Sequence, residues 1–172
     1  LSDTEGAIEG YKFSPDGKKV ILLKSLDYHG TIKKNPSDLP LATGRLVTDM
    51  NYRHWDHYVE QISHAFVADV TENGIANVVD ILKGEPYECP LAPFGGIEQL
   101  DWSIDSKLVA YTCRKKEGVD YAISTDADIY LYNVETKRTR NLCKPEGYKE
   151  PKIDATKSMK NQTVNHQQGD MN

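Results

Sequence analysis

The sequence has little of what marks several common protein classes. Its 172 residues include only three cysteines, Cys89, Cys113 and Cys143, and none of them stands in a C-x-x-C pair. An odd, scattered set argues against a disulfide framework, and no redox role is expected. The formal net charge is -5, with acidic and basic residues interspersed, which argues against a nucleic-acid-binding surface. No apolar run is long enough to cross a bilayer.

A strand, turn, strand unit is present twice. The first copy is YKFSPDGKKVILLKS from Tyr11, and the second is LDWSIDSKLVAYTCR from Leu100. In both copies an aromatic residue precedes a Ser, an Asp and a small residue follow, and a Lys then opens a short apolar run. An internal repeat of this kind predicts a repeating β architecture.

The turn of the first copy has residues suited to a tight hairpin. Ser14 can bond the backbone ahead of it, Pro15 presets φ, and Gly17 can take the left-handed conformation. In the second copy Ser106 replaces this glycine. A left-handed conformation at a non-glycine residue costs roughly 1 kcal/mol, so we expect the second turn to form under backbone strain.

Each turn is followed by a continuous apolar run, at 20–23 and at 108–111. Continuous runs, unlike alternating ones, indicate strands covered on both faces. Two further strand-like segments follow each unit, and an Asn-Gly turn joins the first pair. These segments are 64–70 and 76–82 in the first copy, and 128–136 and 138–143 in the second.

Each copy therefore supplies four strands, which is the content of one propeller blade. We predict an all-β fold: an incomplete β-propeller of about two four-stranded antiparallel blades with a long insertion in the first. Blade one covers about 7–84 with the insertion at 27–62, and blade two covers about 97–144. The insertion explains why the two turns lie about twice as far apart as the roughly 40 to 45 residues of a usual blade repeat.

Two segments resemble a known enzyme family. They are YRHWDHYVEQISHAFVADV from Tyr52 and PFGGIEQLDWSIDSKLVAYTCRKKEG from Pro93. Both are similar to the dipeptidyl-peptidase and acylaminoacyl-peptidase branch of the bacterial prolyl oligopeptidase family, and the resemblance runs from Leu1 to about Tyr148. It implies an exported serine exopeptidase, periplasmic or secreted, in which an amino-terminal propeller gates and orients short peptides for a carboxy-terminal α/β-hydrolase domain.

The nucleophile elbow G-x-S-x-G of that hydrolase domain is absent from this sequence. Since the elbow is needed to expose the catalytic serine, we expect this chain alone to be non-catalytic and to be a fragment of the peptidase. An alternative function remains, because the same turn repeats in the Tol-system propeller: a non-enzymatic protein-interaction module. The long aromatic-rich insertion favours the peptidase.

Candidate substrate-binding residues lie in the insertion: Tyr52, Arg53, Trp55, Asp56 and Glu60. As a helix, this stretch would put Asp56 and Glu60 on one face. Two converging carboxylates could hold the free α-amino group of a peptide, and an aromatic side chain beside them could cover its first residue. In dipeptidyl peptidases of this family acidic residues on a propeller insertion capture the substrate amine. The acidic pair motif of the family is not present here, so this role of Asp56 and Glu60 is a hypothesis.

The alternative is a long hairpin in which Trp55 and Tyr58 pack on the blade while Arg53 and Asp56 pair locally. His54, His57 and His64, with Asp56 and Glu60, offer nitrogen and oxygen ligands for a metal, but their spacing matches no established zinc signature. We therefore predict no metal and no cofactor.

The remaining predictions concern the surface and the ends. The charged run 114–117 is predicted to decorate a solvated hairpin end. Residues 149–172 are predicted to be a polar tail or the degraded start of a third blade. Two blades without a ring leave sheet faces uncovered, so self-association of the isolated chain is expected.

Overall fold

The computed structural model of the protein describes residues 7–28, 41, 43–44, 47–48, 53–54, 56–145 and 147–148. Within this part the fold is almost entirely β-structure. No helix among these residues is long and apolar enough to cross a membrane. Most of the predicted insertion, and the predicted tail 149–172, lie outside the described residues.

The first four-stranded sheet, called sheet 1, begins with β1 (Ile8–Phe13) and β2 (Lys19–Asp27). A separate two-stranded hairpin of β3 (Arg53–His54) and β4 (His57–Tyr58) follows in the insertion. Sheet 1 is then completed by β5 (Gln61–Thr71) and β6 (Gly74–Asp80). Its spatial order is β1-β2-β5-β6, and every neighbouring pair is antiparallel.

The second sheet, called sheet 2, repeats this order. A 3-10 turn at Ile97–Gln99 leads into β7 (Leu100–Trp102) and β8 (Leu108–Cys113). After the short helix α1 (Gly118–Ile123) come β9 (Asp128–Asn133) and β10 (Arg138–Asn141). In both sheets each strand pairs with the next strand of that sheet along the chain. The longest connection in each joins the second strand to the third. The eight predicted strands are confirmed; α1 was not predicted.

The two turns have the same internal bonding, as the repeat predicts. The Ser14 hydroxyl accepts from the Lys19 amide at 2.9 Å, and the Ser103 hydroxyl accepts from the Leu108 amide at 2.9 Å. Gly17 has a φ of 71° and Ser106 a φ of 59°. Because both values are left-handed, the predicted strain at Ser106 is confirmed.

The two sheets pack face to face around one buried cluster. Sheet 1 contributes Ile21, Leu23, Ala65 and Val67 to this cluster, and sheet 2 contributes Leu100, Trp102, Val109, Tyr111, Cys113, Tyr130 and Tyr132. Polar contacts join the same edge, since Trp102 Nε1 donates to the Lys12 carbonyl at 3.0 Å and Lys12 Nζ donates to the Leu100 carbonyl at 2.6 Å. We call the surface of sheet 1 that carries Ile21, Leu23, Ala65 and Val67 its back face. The surface of sheet 2 that carries Leu100, Trp102, Val109 and Tyr111 is called its front face.

Burial differs between the two central strands. Residues 20–23 of β2 are all buried, as a continuous apolar run predicts. In β8, however, Val109 and Tyr111 are buried while Leu108 and Ala110 are only half-buried. The expectation that 108–111 is covered on both faces is therefore wrong, because the described residues place a packed sheet against only one face of sheet 2.

Candidate functional site

The predicted substrate-binding segment forms a hairpin and not a helix. β3 and β4 pair antiparallel, with Arg53 opposite Tyr58 and His54 opposite His57. This pairing agrees with the hairpin alternative, although Tyr58 is 43% exposed and Asp56 lies beside His57, and Trp55 and the Arg53 side chain lie outside the described residues. The helical expectation, which placed Asp56 and Glu60 four residues apart on one face, is wrong, because a tight turn at Asp56 reverses the chain before the first helical turn is complete.

The structure describes only part of the candidate set. Tyr52 and Trp55 lie outside the described residues, and for Arg53 only the backbone is described. Asp56 is at the hairpin turn, where its Oδ1 lies 3.1 Å from Nε2 of His57, and both side chains are mostly exposed. The Asp56 carboxylate is thus oriented by an imidazole and remains open to solvent.

Glu60 lies at the base of the hairpin. Its backbone carbonyl accepts from the Tyr28 amide at 2.9 Å, while its side chain is exposed. Tyr28, Val59 and Ile62 form a small buried cluster directly beneath it. The two ends of the insertion are therefore fixed to each other where they leave sheet 1, and Glu60 marks the point from which the hairpin projects.

Of the three candidate histidine ligands, His57 and His64 have different environments, and the side chain of His54 lies outside the described residues. His57 is exposed on the hairpin, whereas His64 is 3% exposed within β5. His64 Nδ1 lies 3.0 Å from Asp80 Oδ2, and its Nε2 has no hydrogen-bond partner. In the part of the chain that the structure describes, no group of three or more potential metal ligands is found.

The connection between β8 and β9 meets the base of the insertion. A cavity of about 10 Å³, large enough for about one water molecule, is enclosed where they meet; it is lined by Tyr28, Pro86, Tyr87, Glu88, Lys116, Glu117 and Tyr121. The Tyr121 hydroxyl donates to the buried Glu88 carboxylate at 2.5 Å. The Tyr87 hydroxyl donates to Glu117 at 2.9 Å. Two hydrogen-bonded pairs of a tyrosine and a glutamate thus hold the β8–β9 connection against the segment between β6 and β7.

Burial and these carboxylates affect the two phenols in the same direction. Burial, and then the hydrogen bond to Glu117, raise the pKa of Tyr87 to about 12. Burial, followed by the charge of Glu88, raises the pKa of Tyr121 well above its usual range. Both hydroxyls therefore remain protonated donors at neutral pH.

The prediction that 114–117 is a solvated hairpin end is wrong. Lys115 Nζ lies 2.5 Å from Glu85 Oε2 and 4.6 Å from the centre of the Tyr130 ring. The Lys116 side chain is 8% exposed and lies 3.4 Å from Asp126. The physical reason is that the β8–β9 connection packs on the segment between the sheets, where Glu85 pairs with Lys115, and folds back on itself, where Asp126 pairs with Lys116.

Sequence reasoning missed this second group of residues. Tyr87, Glu88 and Tyr121 lie far apart in the sequence, and a helix of six residues, α1, is too short to show a hydrophobic period. The Arg114 guanidinium lies 3.9 Å from the centre of the Tyr121 ring. The sequence signal for this group was the density of aromatic and charged residues in these segments.

Two of the three cysteines, Cys89 and Cys113, are inaccessible to solvent. All three are free thiols, and Cys89 and Cys113 are fully buried. Burial raises the pKa of Cys113 to about 12 and moves the pKa of Cys89 in the same direction. A thiol with a raised pKa forms little thiolate at neutral pH, so Cys89 and Cys113 are poor nucleophiles.

Comparison with known proteins gives a consistent set of relatives. No family model matches the chain. The chain is 46% identical over 137 residues to the dipeptidyl-peptidase 5 of Porphyromonas gingivalis, and 39% identical over 137 residues to the dipeptidyl-peptidase 5 of Porphyromonas endodontalis. Each match covers 80% of this chain and 20% of the relative.

A fungal relative is more distant. The dipeptidyl-peptidase 5 of Arthroderma otae is 29% identical over 124 residues, which is 65% of this chain and 17% of the relative. The chain thus spans about a fifth of the length of the curated relatives that it matches.

Proposed function

The chain is a homologue of dipeptidyl-peptidase 5 over 80% of its length, and from that premise we propose that it forms part of the β-propeller of a serine dipeptidyl peptidase. In this role the two sheets are neighbouring blades, with the boundaries 7–84 and 97–144 and the insertion 27–62. They gate and orient short peptides for a separate α/β-hydrolase domain, which supplies the catalytic residues. The parent enzyme is exported to the periplasm or secreted.

The observation that carries this proposal is the match to dipeptidyl-peptidase 5, which agrees with the family resemblance of the sequence motifs. The packing of the sheets supports the architecture. Both have four sequential antiparallel strands, and the front face of one packs on the back face of the other, as neighbouring blades of a propeller do.

The insertion is the proposed peptide-contacting element. The base of the insertion, at Tyr28, lies beside the β8–β9 connection, and both line the same cavity. Asp56 and Glu60 present exposed side chains on the insertion. We propose that these carboxylates bind the free α-amino group of the substrate, since a charge-assisted hydrogen bond to an ammonium is among the stronger polar contacts. Arg53, Tyr52 and Trp55 complete the proposed contact surface.

The test replaces Asp56 and Glu60 with Ala, singly and together, in the complete peptidase. If each carboxylate bonds the substrate ammonium, kcat/KM for free-amine dipeptidyl substrates falls about 10- to 100-fold, the equivalent of about 1.5 to 3 kcal/mol. A steady-state assay with dipeptidyl chromogenic substrates measures this change.

Glu72→Ala is the matched control, because Glu72 is an exposed carboxylate in the β5–β6 turn at the opposite end of sheet 1. It is expected to leave kcat/KM unchanged. Unchanged Michaelis constants in Asp56→Ala and Glu60→Ala would refute the amine-binding role. A complete protein without any peptidase activity would favour the interaction-module alternative.

A further inference from the structure

The root of the insertion, defined by Tyr28 and Glu60, is where its two ends leave sheet 1. The Tyr28 amide donates to the Glu60 carbonyl at 2.9 Å, which joins the two ends. The Tyr28 side chain is 5% exposed and packs with Val59 and Ile62 in a small buried cluster. The position of Tyr28 therefore determines where Glu60, one of the two proposed amine-binding carboxylates, is placed.

Tyr28 also lines the cavity of about 10 Å³ beside the β8–β9 connection. The same cavity is lined by Glu88, from the segment between β6 and β7, and by Tyr121, from α1. A space of this size holds about one water molecule, so these three side chains lie close around it. Because protein interiors are close-packed, a shift of the β8–β9 connection would displace Tyr28 or open a void beside it.

The hydrogen bond from the Tyr121 hydroxyl to Glu88 fixes this wall of the cavity. The bond is 2.5 Å long, and Glu88 is 5% exposed. The segment that carries Glu88 is itself bonded to sheet 1, because the Cys89 amide donates to the Ser63 carbonyl of β5 at 2.8 Å. Contiguous contacts thus run from α1 to the strand that follows the insertion.

We infer that Tyr121 is a positioning residue for the substrate-binding insertion: its bond to Glu88 holds the cavity wall against Tyr28, and Tyr28 sets the orientation of the root. This inference rests on the proposed function, in which Asp56 and Glu60 bind the substrate ammonium. The Tyr121 hydroxyl contacts no substrate in this role and acts only through the root.

The shape of the insertion amplifies small movements of its root. Asp56 precedes Glu60 by four residues, and four extended residues span at most about 14 Å. A tilt of about 5° at the root would therefore move the Asp56 carboxylate by about 1 Å. Misplacement by about 1 Å can cost as much as about 100-fold in rate. A hydrogen bond that touches no substrate can thus control how well the substrate is bound.

Other contacts keep the β8–β9 connection folded without this hydroxyl. Lys115 Nζ lies 2.5 Å from Glu85 Oε2, and the Arg114 guanidinium donates to the Ser124 carbonyl at 3.3 Å. Tyr121→Phe removes one donor and leaves these bonds and the aromatic ring in place. The variant therefore tests the position of the root in a folded protein.

The kinetic test compares Tyr121→Phe with the wild type in the complete peptidase. We expect KM for free-amine dipeptidyl substrates to rise about 5- to 10-fold while kcat stays within about twofold, because ground-state and transition-state binding weaken together. In an Asp56→Ala, Glu60→Ala background, Tyr121→Phe should raise KM by less than about twofold, since residues that act through one contact are not additive. Glu88→Gln keeps an acceptor for the phenol and is expected to keep a KM near that of the wild type.

Trp102→Phe is the matched control, because it removes a donor from the contact between the sheets and Trp102 is not among the residues that line the cavity. It is expected to lose about as much stability as Tyr121→Phe and to keep the KM of the wild type.

Hydrogen exchange of the complete protein supplies a readout that needs no activity. Tyr121→Phe should speed exchange of the Tyr28 amide about 10-fold more than exchange of the Ile21 amide in the centre of sheet 1, because the root opens locally. Trp102→Phe should change both amides alike.

A uniform change of exchange in Tyr121→Phe, or a KM that rises equally in Tyr121→Phe and Trp102→Phe, would overturn the inference. Selective exchange with an unchanged KM would overturn it as well when Asp56→Ala and Glu60→Ala do raise KM. If those two variants leave KM unchanged, the amine-binding role fails by itself, and the exchange measurement alone then decides whether Tyr121 fixes the root.

Discussion

Asp16 and Asp105 occupy equivalent positions in the two turns and have equivalent partners. Asp16 accepts from the Ser14 hydroxyl at 2.6 Å and from the Lys18 amide at 3.0 Å. Asp105 accepts from the Ser103 hydroxyl at 2.6 Å and from the Lys107 amide at 3.2 Å. These bonds favour the ionised carboxylate, so the pKa of each aspartate lies below its ordinary value of 3.8.

A pH dependence follows from these two residues. A lowered folded-state pKa contributes stability that is present above the unfolded-state pKa, near 3.8, and is lost as the pH falls through the folded-state value. We expect the stability advantage of the wild type over an Asp16→Asn, Asp105→Asn double variant to shrink between about pH 5 and about pH 2. Urea unfolding followed by circular dichroism across this range measures the difference, and a constant difference would contradict the prediction.

Ser106 shows how one side chain can replace a glycine. Its left-handed backbone costs roughly 1 kcal/mol, but its hydroxyl accepts from the Asp16 amide of the other turn at 3.2 Å. A hydrogen bond of this kind contributes about 0.5 to 1.5 kcal/mol. The strain is thus offset by a contact between the sheets that a glycine could not make.

Among the elements, the connection between β8 and β9 is the one that sequence patterns described least well. It contains α1 and is held to the inter-sheet segment by two phenol and carboxylate bonds. These bonds differ in environment, because Glu88 is 5% exposed and buried, whereas Glu117 is exposed to solvent. The bond from Tyr121 is therefore expected to contribute more than the bond from Tyr87.

Replacing either tyrosine with Phe tests this difference. Tyr121→Phe removes a donor from a buried carboxylate, and we expect it to lower the free energy of unfolding by about 1 to 3 kcal/mol. It should also raise amide exchange across residues 114–127. Tyr87→Phe is the matched control, with an expected loss of about 0.5 to 1 kcal/mol. Equal losses in the two variants would show that burial of Glu88 does not determine the contribution.

At the scale of the whole molecule, the two sheets share one core. The central buried cluster takes residues from β2 and β5 of sheet 1 and from β7, β8 and β9 of sheet 2. Trp102 connects them, since its ring is buried in this cluster and its Nε1 donates to the Lys12 carbonyl of sheet 1. Neither sheet can lose this contact without exposing apolar surface of the other.

We therefore expect the sheets to unfold together. Trp102→Phe removes the donor to Lys12 and part of the buried ring, and should lower the free energy of unfolding by about 1 to 3 kcal/mol. Native-state hydrogen exchange should show equal losses of protection at Ile21 in sheet 1 and Val109 in sheet 2. A loss confined to Val109 would show that the sheets open independently.

The sequence by itself determined the strands, the turns and the repeat. Ser14–Gly17 and its second copy specify hairpins through local backbone preferences, and the continuous apolar runs at 20–23 and 108–111 indicate central strands. Such features are local, because turn chemistry and strand alternation depend on neighbours within a few residues. The motifs that indicated the dipeptidyl-peptidase branch are also local, so the sequence alone was sufficient to identify them.

Only the tertiary structure decided which surfaces meet. Lys115 and Lys116 became partly buried because their connection packs on Glu85 of the segment between the sheets and on its own Asp126, and no local pattern predicts these contacts. The hairpin at Asp56 could not be separated from a helix by its aromatic-rich composition. Likewise, the burial of Trp102 and the exposure of its equivalent, Phe13, depend on which sheet face has a neighbour. Contacts between residues far apart in sequence determine burial, and hence which charged or apolar side chains remain available for binding.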